Sequence, residues 1–297
     1  MTSIAFIGLG NMGAGMAANL AKAGAAVTAY DISAPALDKA KASGCAVAGS
    51  AAEAVRGVEA VVTMLPAGQH VRAVYHDDIA PNAPKGALLI DCSTIDVDSA
   101  KQVAHGMGAL GFHFADAPVS GGVAAAEAGS LTFMVGCADA DFTAVDAALK
   151  PMAKTVIHAG GAGAGQSAKI CNNMLLGISM LGVAEAFALA EKLGLAPERF
   201  FEIASVSSGQ CWSLTSYCPW PGPVPTAPAN RGYEGGFLTA LMLKDLKLAQ
   251  AAAASAGAST PMGAQAEALY ALFDGLGYGR KDFSAVLQLM RGKLAEL

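Results

Sequence analysis

Charged side chains are scarce in this sequence. Only 14% of the 297 residues are Asp, Glu, Lys or Arg, against roughly 25% in an average soluble chain. The net charge is −5, with no block of basic residues, which argues against a nucleic-acid partner because phosphate backbones are bound by a basic face. Self-association would hide surface that otherwise needs charge, so the composition favours an oligomer.

Cysteine and histidine are few and show no ligand spacing. The six cysteines form no C-x-x-C pair, and the five histidines are scattered, so we expect reduced thiols, no metal and a cytoplasmic protein. No secretory signal is expected, because the chain already has the pattern of a strand by Ile4. The most membrane-like run, 174–190, contains Ser179 and Glu185 and is short for a membrane span, so we interpret it as a buried helix.

Strands and helices alternate along the first half of the chain. Apolar runs predict strands over 3–7, 26–30, 60–64, 87–91, 112–116 and 131–135, with helices over 11–23 and 34–43. This alternation predicts an α/β fold of the Rossmann type, a doubly wound and mostly parallel sheet. After a glycine cluster near residue 160, helical patterns cover 166–193, 197–205, 238–256, 262–276 and 284–292. We therefore expect a Rossmann domain over 1–161 and an all-helical domain over 162–297.

A glycine motif directly follows the first predicted strand. Residues 8–13 read G-x-G-x-x-G, with Leu9, Asn11 and Met12 between the glycines. Gly8 permits a tight turn, Gly10 lets the backbone approach a diphosphate, and Gly13 lets helix and strand pack closely. The helix that starts here directs unpaired N–H groups at the phosphates. The strand–turn–helix context favours a dinucleotide site over a plain turn.

Asp31 ends the second predicted strand, and it selects the type of cofactor. A carboxylate there accepts hydrogen bonds from both ribose hydroxyls of NAD and repels the 2′-phosphate of NADP. No arginine follows, since the next residues are Ile32, Ser33 and Ala34. The sequence therefore predicts NAD. The alternative is that Asp31 is an ordinary loop carboxylate.

Two more strand ends are expected to line the cofactor, because ligands of such sheets lie beyond the carboxyl ends of the strands. Met64, Leu65 and Pro66 end the third strand, and Thr94 follows the fourth. The hydroxyl of Thr94 would lie at the site, although a turn threonine without a ligand is an equal alternative.

The segment 116–122 reads D-A-P-V-S-G-G. Successive N–H groups around two glycines, beside the Ser120 hydroxyl, make a concavity that would hold a substrate carboxylate. Taken alone, the segment is more typical of an ordinary glycine turn.

The next motif, G-Q-S-A-K-I-C-N-N over 165–173, opens the long helix. Lys169 and Asn173 are four residues apart and share one face of that helix. A lysine held among apolar residues is partly desolvated, and desolvation lowers the pKa of an ammonium towards the range of a useful base. The alternative is a lysine with its head in solvent.

These motifs, in this order, with Leu243-Lys244-Asp245-Leu246 after them, resemble the β-hydroxyacid dehydrogenase family over the whole chain. A long loop rich in proline and glycine is expected over 210–236. Three segments in and beside it, 207–213, 219–222 and 233–237, narrow the resemblance to the 3-hydroxyisobutyrate dehydrogenases of that family. The resemblance implies that Lys169 is the catalytic lysine. The residues implied to bind substrate are Ser120, Gly121, Gly122, Asn173, Asp245, Trp212 and Phe237. The residues implied to bind the cofactor are Gly8, Leu9, Gly10, Asn11, Met12, Gly13, Asp31, Met64, Leu65, Pro66, Thr94 and Lys244.

The function that the resemblance implies is NAD-dependent oxidation of 3-hydroxyisobutyrate to methylmalonate semialdehyde, a step of valine catabolism, in a homodimer or homotetramer. The expected partner is a small 3-hydroxy acid, with no nucleic acid and no membrane. Three alternatives remain open: another 3-hydroxy acid dehydrogenase of this family, a reductase of a semialdehyde or of glyoxylate, and a non-catalytic NAD-binding scaffold. For Lys244 and Asp245 the alternative is an exposed helix pair, and for Trp212 it is a packing role.

Overall fold

The computed structural model describes residues 2–297. Its internal contacts divide the chain into two compact units, one that ends at Lys169 and a second over Ile170–Leu297. The boundary expected from the sequence, between residues 161 and 162, falls just before a long helix that runs through this division.

The first unit is built on a nine-stranded sheet. Its strands are β1 (Ser3–Ile7), β2 (Ala26–Tyr30), β3 (Ala46–Val47), β4 (Ala60–Thr63), β5 (Leu88–Asp91), β6 (His113–Asp116), β7 (Val119–Ser120), β8 (Leu131–Gly136) and β9 (Ala153–Gly160). The order β3-β2-β1-β4-β5-β6 is parallel throughout, whereas β8 is antiparallel to β6 and β7 and parallel to β9. This is the Rossmann strand order. Strands β1 to β3 are added towards one edge of the sheet and β4 to β6 towards the other, so the order of addition reverses between β1 and β4. The predicted mostly parallel sheet is confirmed.

Helices cover both faces of this sheet. They are α1 (Gly13–Lys22), α2 (Ala34–Ala42), α3 (Ala51–Ala54), α4 (Gly68–Ala73), α5 (Ala80–Asn82), α6 (Val97–Ala109), α7 (Gly122–Ala128), α8 (Phe142–Leu149) and the start of α9 (Ala164–Lys192). Alternate residues of β1 enter opposite cores: Ile4 and Phe6 pack into one apolar cluster, and Ala5 and Ile7 into the other. Burial on both faces explains why the strands read as unbroken apolar runs.

The second unit is helical, as predicted. It contains the rest of α9, then α10 (Pro197–Ala204), α11 (Trp212–Thr215), α12 (Thr239–Ala256), α13 (Pro261–Phe273) and α14 (Val286–Arg291). Its core includes the fully buried rings of Phe187, Tyr270, Phe273 and Phe283. By length and composition α9 could cross a membrane, a property that buried core helices share, and 44% of its most apolar window is buried within the chain.

Three strands and several helices of the first unit were not expected from the sequence. β3 and β7 have two residues each, too few to show an alternating pattern. β9 has eight residues, but it ends at Gly160, so its last residues were interpreted as part of a glycine-rich hinge. The helices α3 to α8 are short or rich in alanine and glycine, which weakens the apolar periodicity.

A buried polar network joins the ends of β4 and β5. The Oδ1 atom of Asp91 accepts hydrogen bonds from the hydroxyls of Thr63 (2.7 Å) and Ser93 (2.5 Å), and the Thr63 hydroxyl also contacts that of Tyr75 (3.1 Å). The Oδ2 atom of Asp91 is buried without a hydrogen-bond partner among residues 2–297. Burial raises the pKa of Asp91 from 3.8 to about 6, because desolvation disfavours the charged form.

We predict that Asp91→Asn makes stability less dependent on pH. A carboxyl whose pKa is higher in the folded chain contributes stability that is complete below pH 3.8 and is lost as the pH rises through about 6. Relative to the unmodified chain, the free energy of unfolding of Asp91→Asn should therefore rise by roughly 2 kcal/mol between about pH 4 and pH 7.5. Urea unfolding at both pH values measures this change. The exposed Asp98→Asn is the control, and an equal difference at both pH values would show that Asp91 is not the source.

Candidate active site

The glycine loop after β1 is tightly packed at two of its three glycines. Gly8 has a φ of +94°, and a Cβ atom there would overlap the carbonyl oxygen of Met64. A Cβ atom on Gly13 would overlap the carbonyl oxygen of Gly8. Both positions therefore require glycine for the turn itself, as the motif predicts.

The third glycine borders open space. Gly10 is exposed, and a Cβ atom built on it meets nothing within 4 Å. In the described chain no side chain caps the N-terminus of α1. Open space in front of uncapped helix N–H groups fits a diphosphate. Between the glycines, Leu9 points into the core, Met12 packs against it, and Asn11 is exposed.

Asp31 lies directly after β2, beside this loop. Its Oδ2 atom accepts a hydrogen bond from the Leu9 N–H group (2.6 Å), and its Oδ1 atom accepts one from Ser33 (2.8 Å). The carboxylate is thus fixed at the edge of the glycine loop, where the ribose of a dinucleotide would follow the diphosphate.

The turns after β4 and β5 are tied to each other. Met64 and Leu65 are half-buried and Pro66 is exposed, and the Leu65 N–H group donates to the Ser93 hydroxyl (2.8 Å). Thr94 follows and is half-buried. Because β4 and β5 are neighbouring parallel strands, these predicted cofactor residues share the carboxyl edge of the sheet with Gly8 to Gly13.

The D-A-P-V-S-G-G segment turns sharply after β6. Val119 and Ser120 form β7, which pairs with β8. Gly121 and Gly122 follow with φ values of +136° and +72°, in the region that favours glycine. Both glycines are exposed and Ser120 is half-buried, so the backbone here is open to a ligand.

Lys169 is brought to this segment. Its side chain is buried, with 7% of its surface exposed, and the Nζ atom donates to the carbonyl oxygen of Val119 (2.7 Å). Val119 immediately precedes Ser120, so the amino group of Lys169 lies beside the backbone expected to hold a carboxylate. The alternative of a lysine head in solvent does not hold.

Asp116 fixes the start of α9, the helix that carries Lys169. Its Oδ1 atom accepts a hydrogen bond from Gly163 N–H (2.7 Å), and its Oδ2 atom accepts one from Gln166 N–H (2.8 Å). Burial raises the pKa of Asp116, and these N–H groups oppose the rise. Asp116 and Gln166 had been given no role from the sequence. The available signal was the place of each residue in a motif, Asp116 as the first residue of 116–122 and Gln166 as the second of 165–173.

In the second unit, Asn173 and Asp245 form a buried pair. Asn173 lies on α9, and its Nδ2 atom donates to Asp245 Oδ2 on α12 (2.5 Å). Both residues are at most 3% exposed. The Lys244 Nζ atom lies 3.3 Å from Asp245 Oδ1. The alternative of an exposed helix pair therefore does not hold for Asp245.

The two aromatic residues predicted near the substrate belong to one cluster in the second unit. Trp212 is 51% exposed and stacks on Tyr217, with ring centroids 4.9 Å apart. The Tyr217 hydroxyl donates to Asp282 (2.8 Å), and so does the Phe237 N–H group (2.8 Å). The buried Asp282 thus joins Tyr217 to the Phe237 backbone, a role without a sequence signal because it lies 45 residues after Phe237.

Two family profiles together cover nearly the whole chain. Residues 3–161 match the profile described as the NAD-binding domain of 6-phosphogluconate dehydrogenase. Residues 163–290 match the profile described as NAD-binding of NADP-dependent 3-hydroxyisobutyrate dehydrogenase. Both descriptions name a nicotinamide dinucleotide site, which agrees with the open glycine loop.

Named relatives match over the same length. The chain is 48% identical to a 3-hydroxyisobutyrate dehydrogenase of Pseudomonas aeruginosa, covering 99% of this chain and 100% of that one. It is also 48% identical to an NAD-dependent L-serine dehydrogenase of the same organism, covering 97% and 98%. A solved structure of Mycobacterium tuberculosis 3-hydroxyisobutyrate dehydrogenase with L-serine is 48% identical, with a TM-score of 0.95 over 98% of this chain and 99% of that one. The chain therefore belongs to the β-hydroxyacid dehydrogenase family, and it is an NAD-dependent dehydrogenase.

Proposed function

We propose that this enzyme oxidises 3-hydroxyisobutyrate to methylmalonate semialdehyde, as a step of valine catabolism. The observation that carries the chemistry is the buried amino group of Lys169 on the Val119 carbonyl, one residue before the Ser120–Gly122 segment. The substrate is supported by near-full-length relatives at 48% identity that are named 3-hydroxyisobutyrate dehydrogenases.

Lys169 is the proton-transfer residue in this proposal. The substrate carboxylate binds to the N–H groups and hydroxyl of Ser120, Gly121 and Gly122, which brings the C3 hydroxyl to Lys169. The neutral amine of Lys169 takes the hydroxyl proton as the C–H bond at the same carbon breaks. The resulting ammonium stabilises negative charge on the oxygen that becomes the aldehyde, so this step needs no metal ion.

The glycine loop and Asp31 have the shape and charge expected of an NAD site. When bound, NAD supplies the hydride acceptor. Gly8 to Gly13 would hold its diphosphate, Asp31 its ribose hydroxyls, and the turns at Met64–Pro66 and Thr94 its nicotinamide half. Lys244 would contact the cofactor, and Asn173, Asp245, Trp212 and Phe237 would contact the substrate.

L-Serine is the second candidate substrate. It shares the carboxylate and the C3 hydroxyl of 3-hydroxyisobutyrate and has an amino group in place of the methyl group at C2. One relative at 48% identity is named an L-serine dehydrogenase, and a solved relative is described with L-serine. The Ser120–Gly122 segment and Lys169 would serve both acids. The two proposals therefore differ in whether the enzyme prefers a methyl group or an amino group at C2.

An oligomer and a cytoplasmic location stay predictions. The second unit exposes large apolar side chains on and after α9, including Leu175 (64% exposed), Leu189 (60%) and Leu193 (75%). A homodimer or homotetramer that covered them would remove apolar surface from water.

The first experiment compares substrates directly. NADH formation is followed at 340 nm with 3-hydroxyisobutyrate, L-serine and glycerate, each with NAD and with NADP. We expect kcat/KM to be highest for 3-hydroxyisobutyrate with NAD. A higher value for L-serine would replace the proposed substrate while keeping the Lys169 chemistry, and no turnover of any acid despite NADH binding would favour the non-catalytic scaffold.

Lys169→Met should lower kcat by about 10²–10⁴-fold, because it removes the proton-transfer group. Methionine has a similar length and is apolar, so the packing around this buried position is preserved. Stopped-flow and steady-state assays measure the loss, and NADH titration checks that the cofactor site is intact. Lys41→Met, at an exposed position of α2, is the matched control with unchanged kcat. Near-normal turnover of Lys169→Met would exclude Lys169 as the base.

Asp31→Asn should weaken the preference for NAD. The asparagine keeps an oxygen that can accept from Leu9 N–H but removes the charge that repels a 2′-phosphate. We expect the ratio of kcat/KM for NAD to that for NADP to fall by about tenfold or more, which corresponds to roughly 1.4 kcal/mol. Asp38→Asn, an exposed neighbour on α2, removes the same charge and should leave the ratio unchanged. If both variants retain the ratio, Asp31 does not select the cofactor.

A further inference from the structure

Gln166 is a fully buried amide three residues before Lys169. Its Oε1 atom accepts a hydrogen bond from the Ile95 N–H group (3.1 Å), and its Nε2 atom donates to the Ser93 carbonyl oxygen (2.7 Å). The side chain therefore pairs with the turn after β5 as a neighbouring strand would, and Thr94 lies between the two bonded residues. Only a side chain that donates and accepts at once can make both bonds.

The turn held by Gln166 is connected onward to the rest of the predicted cofactor edge. The Ser93 hydroxyl accepts from Leu65 N–H (2.8 Å) and donates to Asp91 (2.5 Å). The Met64–Pro66 turn, the Thr94 turn and the end of β5 thus form one hydrogen-bonded set.

The backbone of Gln166 makes the connection on the other side. Its N–H group donates to Asp116 Oδ2 (2.8 Å), at the end of the strand that leads into the Ser120–Gly122 segment. Lys169 lies one helical turn later and donates to Val119. Gln166 therefore joins the predicted cofactor edge, the Ser120–Gly122 segment and the helix that carries Lys169, all within the first unit.

We propose that Gln166 is a positioning residue, which holds Thr94 and Lys169 in a fixed relation so that the proton acceptor and the cofactor edge are aligned for the reaction. The proposal rests on the proposed function of Lys169. What it adds is the link between Gln166 and residues 93–95, and the stability of that link can be measured in the absence of turnover.

Gln166→Glu makes the link depend on pH. Ionised, the carboxylate still accepts from Ile95 N–H but repels the Ser93 carbonyl oxygen; protonated, it donates to that oxygen and restores the link. The charged groups around this first turn of α9 are Asp91, Asp116, Lys101 and Lys169. Burial and the two carboxylates would raise the pKa of the introduced glutamate, and the two lysines would lower it.

The assay is the ratio of kcat for Gln166→Glu to kcat for the unmodified enzyme across pH. We expect kcat to fall by about 10–100-fold at high pH, as for a misplaced reacting group, and the ratio to recover as the pH is lowered. KM for the hydroxy acid should change much less than kcat, because the Ser120–Gly122 segment is retained. Gln102→Glu, at an exposed site on α6, adds the same charge and should keep a ratio near one at every pH.

Hydrogen exchange of the peptide over 93–96, measured on the enzyme without substrate, gives a second readout. Relative to the unmodified enzyme, exchange in Gln166→Glu should be faster at high pH and equal at low pH. A kcat ratio near one at high pH, or a loss that is the same at every pH in a folded variant, would overturn the proposal.

Gln166→Met provides the test if Gln166→Glu does not fold. It keeps the length of the side chain and loses both hydrogen bonds, so its loss of kcat and its faster exchange over 93–96 should be independent of pH. Retained kcat in Gln166→Met would also overturn the positioning role. The two proposals can fail separately. If Lys169 is not the base, Lys169→Met retains turnover, whereas hydrogen exchange over 93–96 still changes in the Gln166 variants.

Discussion

The Asp116 carboxylate accepts hydrogen bonds from N–H groups at the start of α9, and the placement of Lys169 depends on these bonds. A buried carboxylate is costly unless it is hydrogen-bonded, and here N–H groups of Gly163 and Gln166 bond to its two oxygens. The helix dipole at this end has the favourable sign. Because α9 starts at this carboxylate, the lysine one turn later reaches the Val119 carbonyl. The strand that ends at Asp116 therefore determines the positions of both the Ser120–Gly122 segment and Lys169.

Local patterns predicted much of the fold. The bounds of β1 agree with the sequence expectation because a parallel strand buried on both faces is a continuous apolar run. The bounds of β2 agree as well, although its buried residues alternate with more exposed ones. β9 was missed because its residues alternate between half-buried and exposed and its pairing with β8 includes two register shifts. β7 exists through its pairing with β8, a long-range contact that no window of two residues reveals.

The candidate site divides in the same way between local and distant contacts. The glycine loop is a local object, since its turn, its strand and its helix are consecutive, and its geometry follows from the motif. The Gln166 side chain contacts residues 71 and 73 positions earlier in the chain, so its partners could not be identified from spacing. The burial of Lys169 was likewise only one of two alternatives, because a helix position alone does not show what packs over it.

The anchoring of the aromatic cluster has a consequence for how such enzymes diverge. Asp282 fixes Tyr217 and the Phe237 backbone, and Tyr217 in turn supports Trp212, through contacts that lie inside the second unit. Two contacts that position Lys169 lie inside the first unit: its own bond to the Val119 carbonyl and the bond from Gln166 N–H to Asp116. Mutations that reshape this aromatic cluster can therefore accumulate without changing the contacts that hold Lys169. With the roles proposed for Trp212, Phe237 and Lys169, a lineage of such enzymes can exchange one hydroxy acid for another by small steps, each of which leaves a working dehydrogenase for selection to act on.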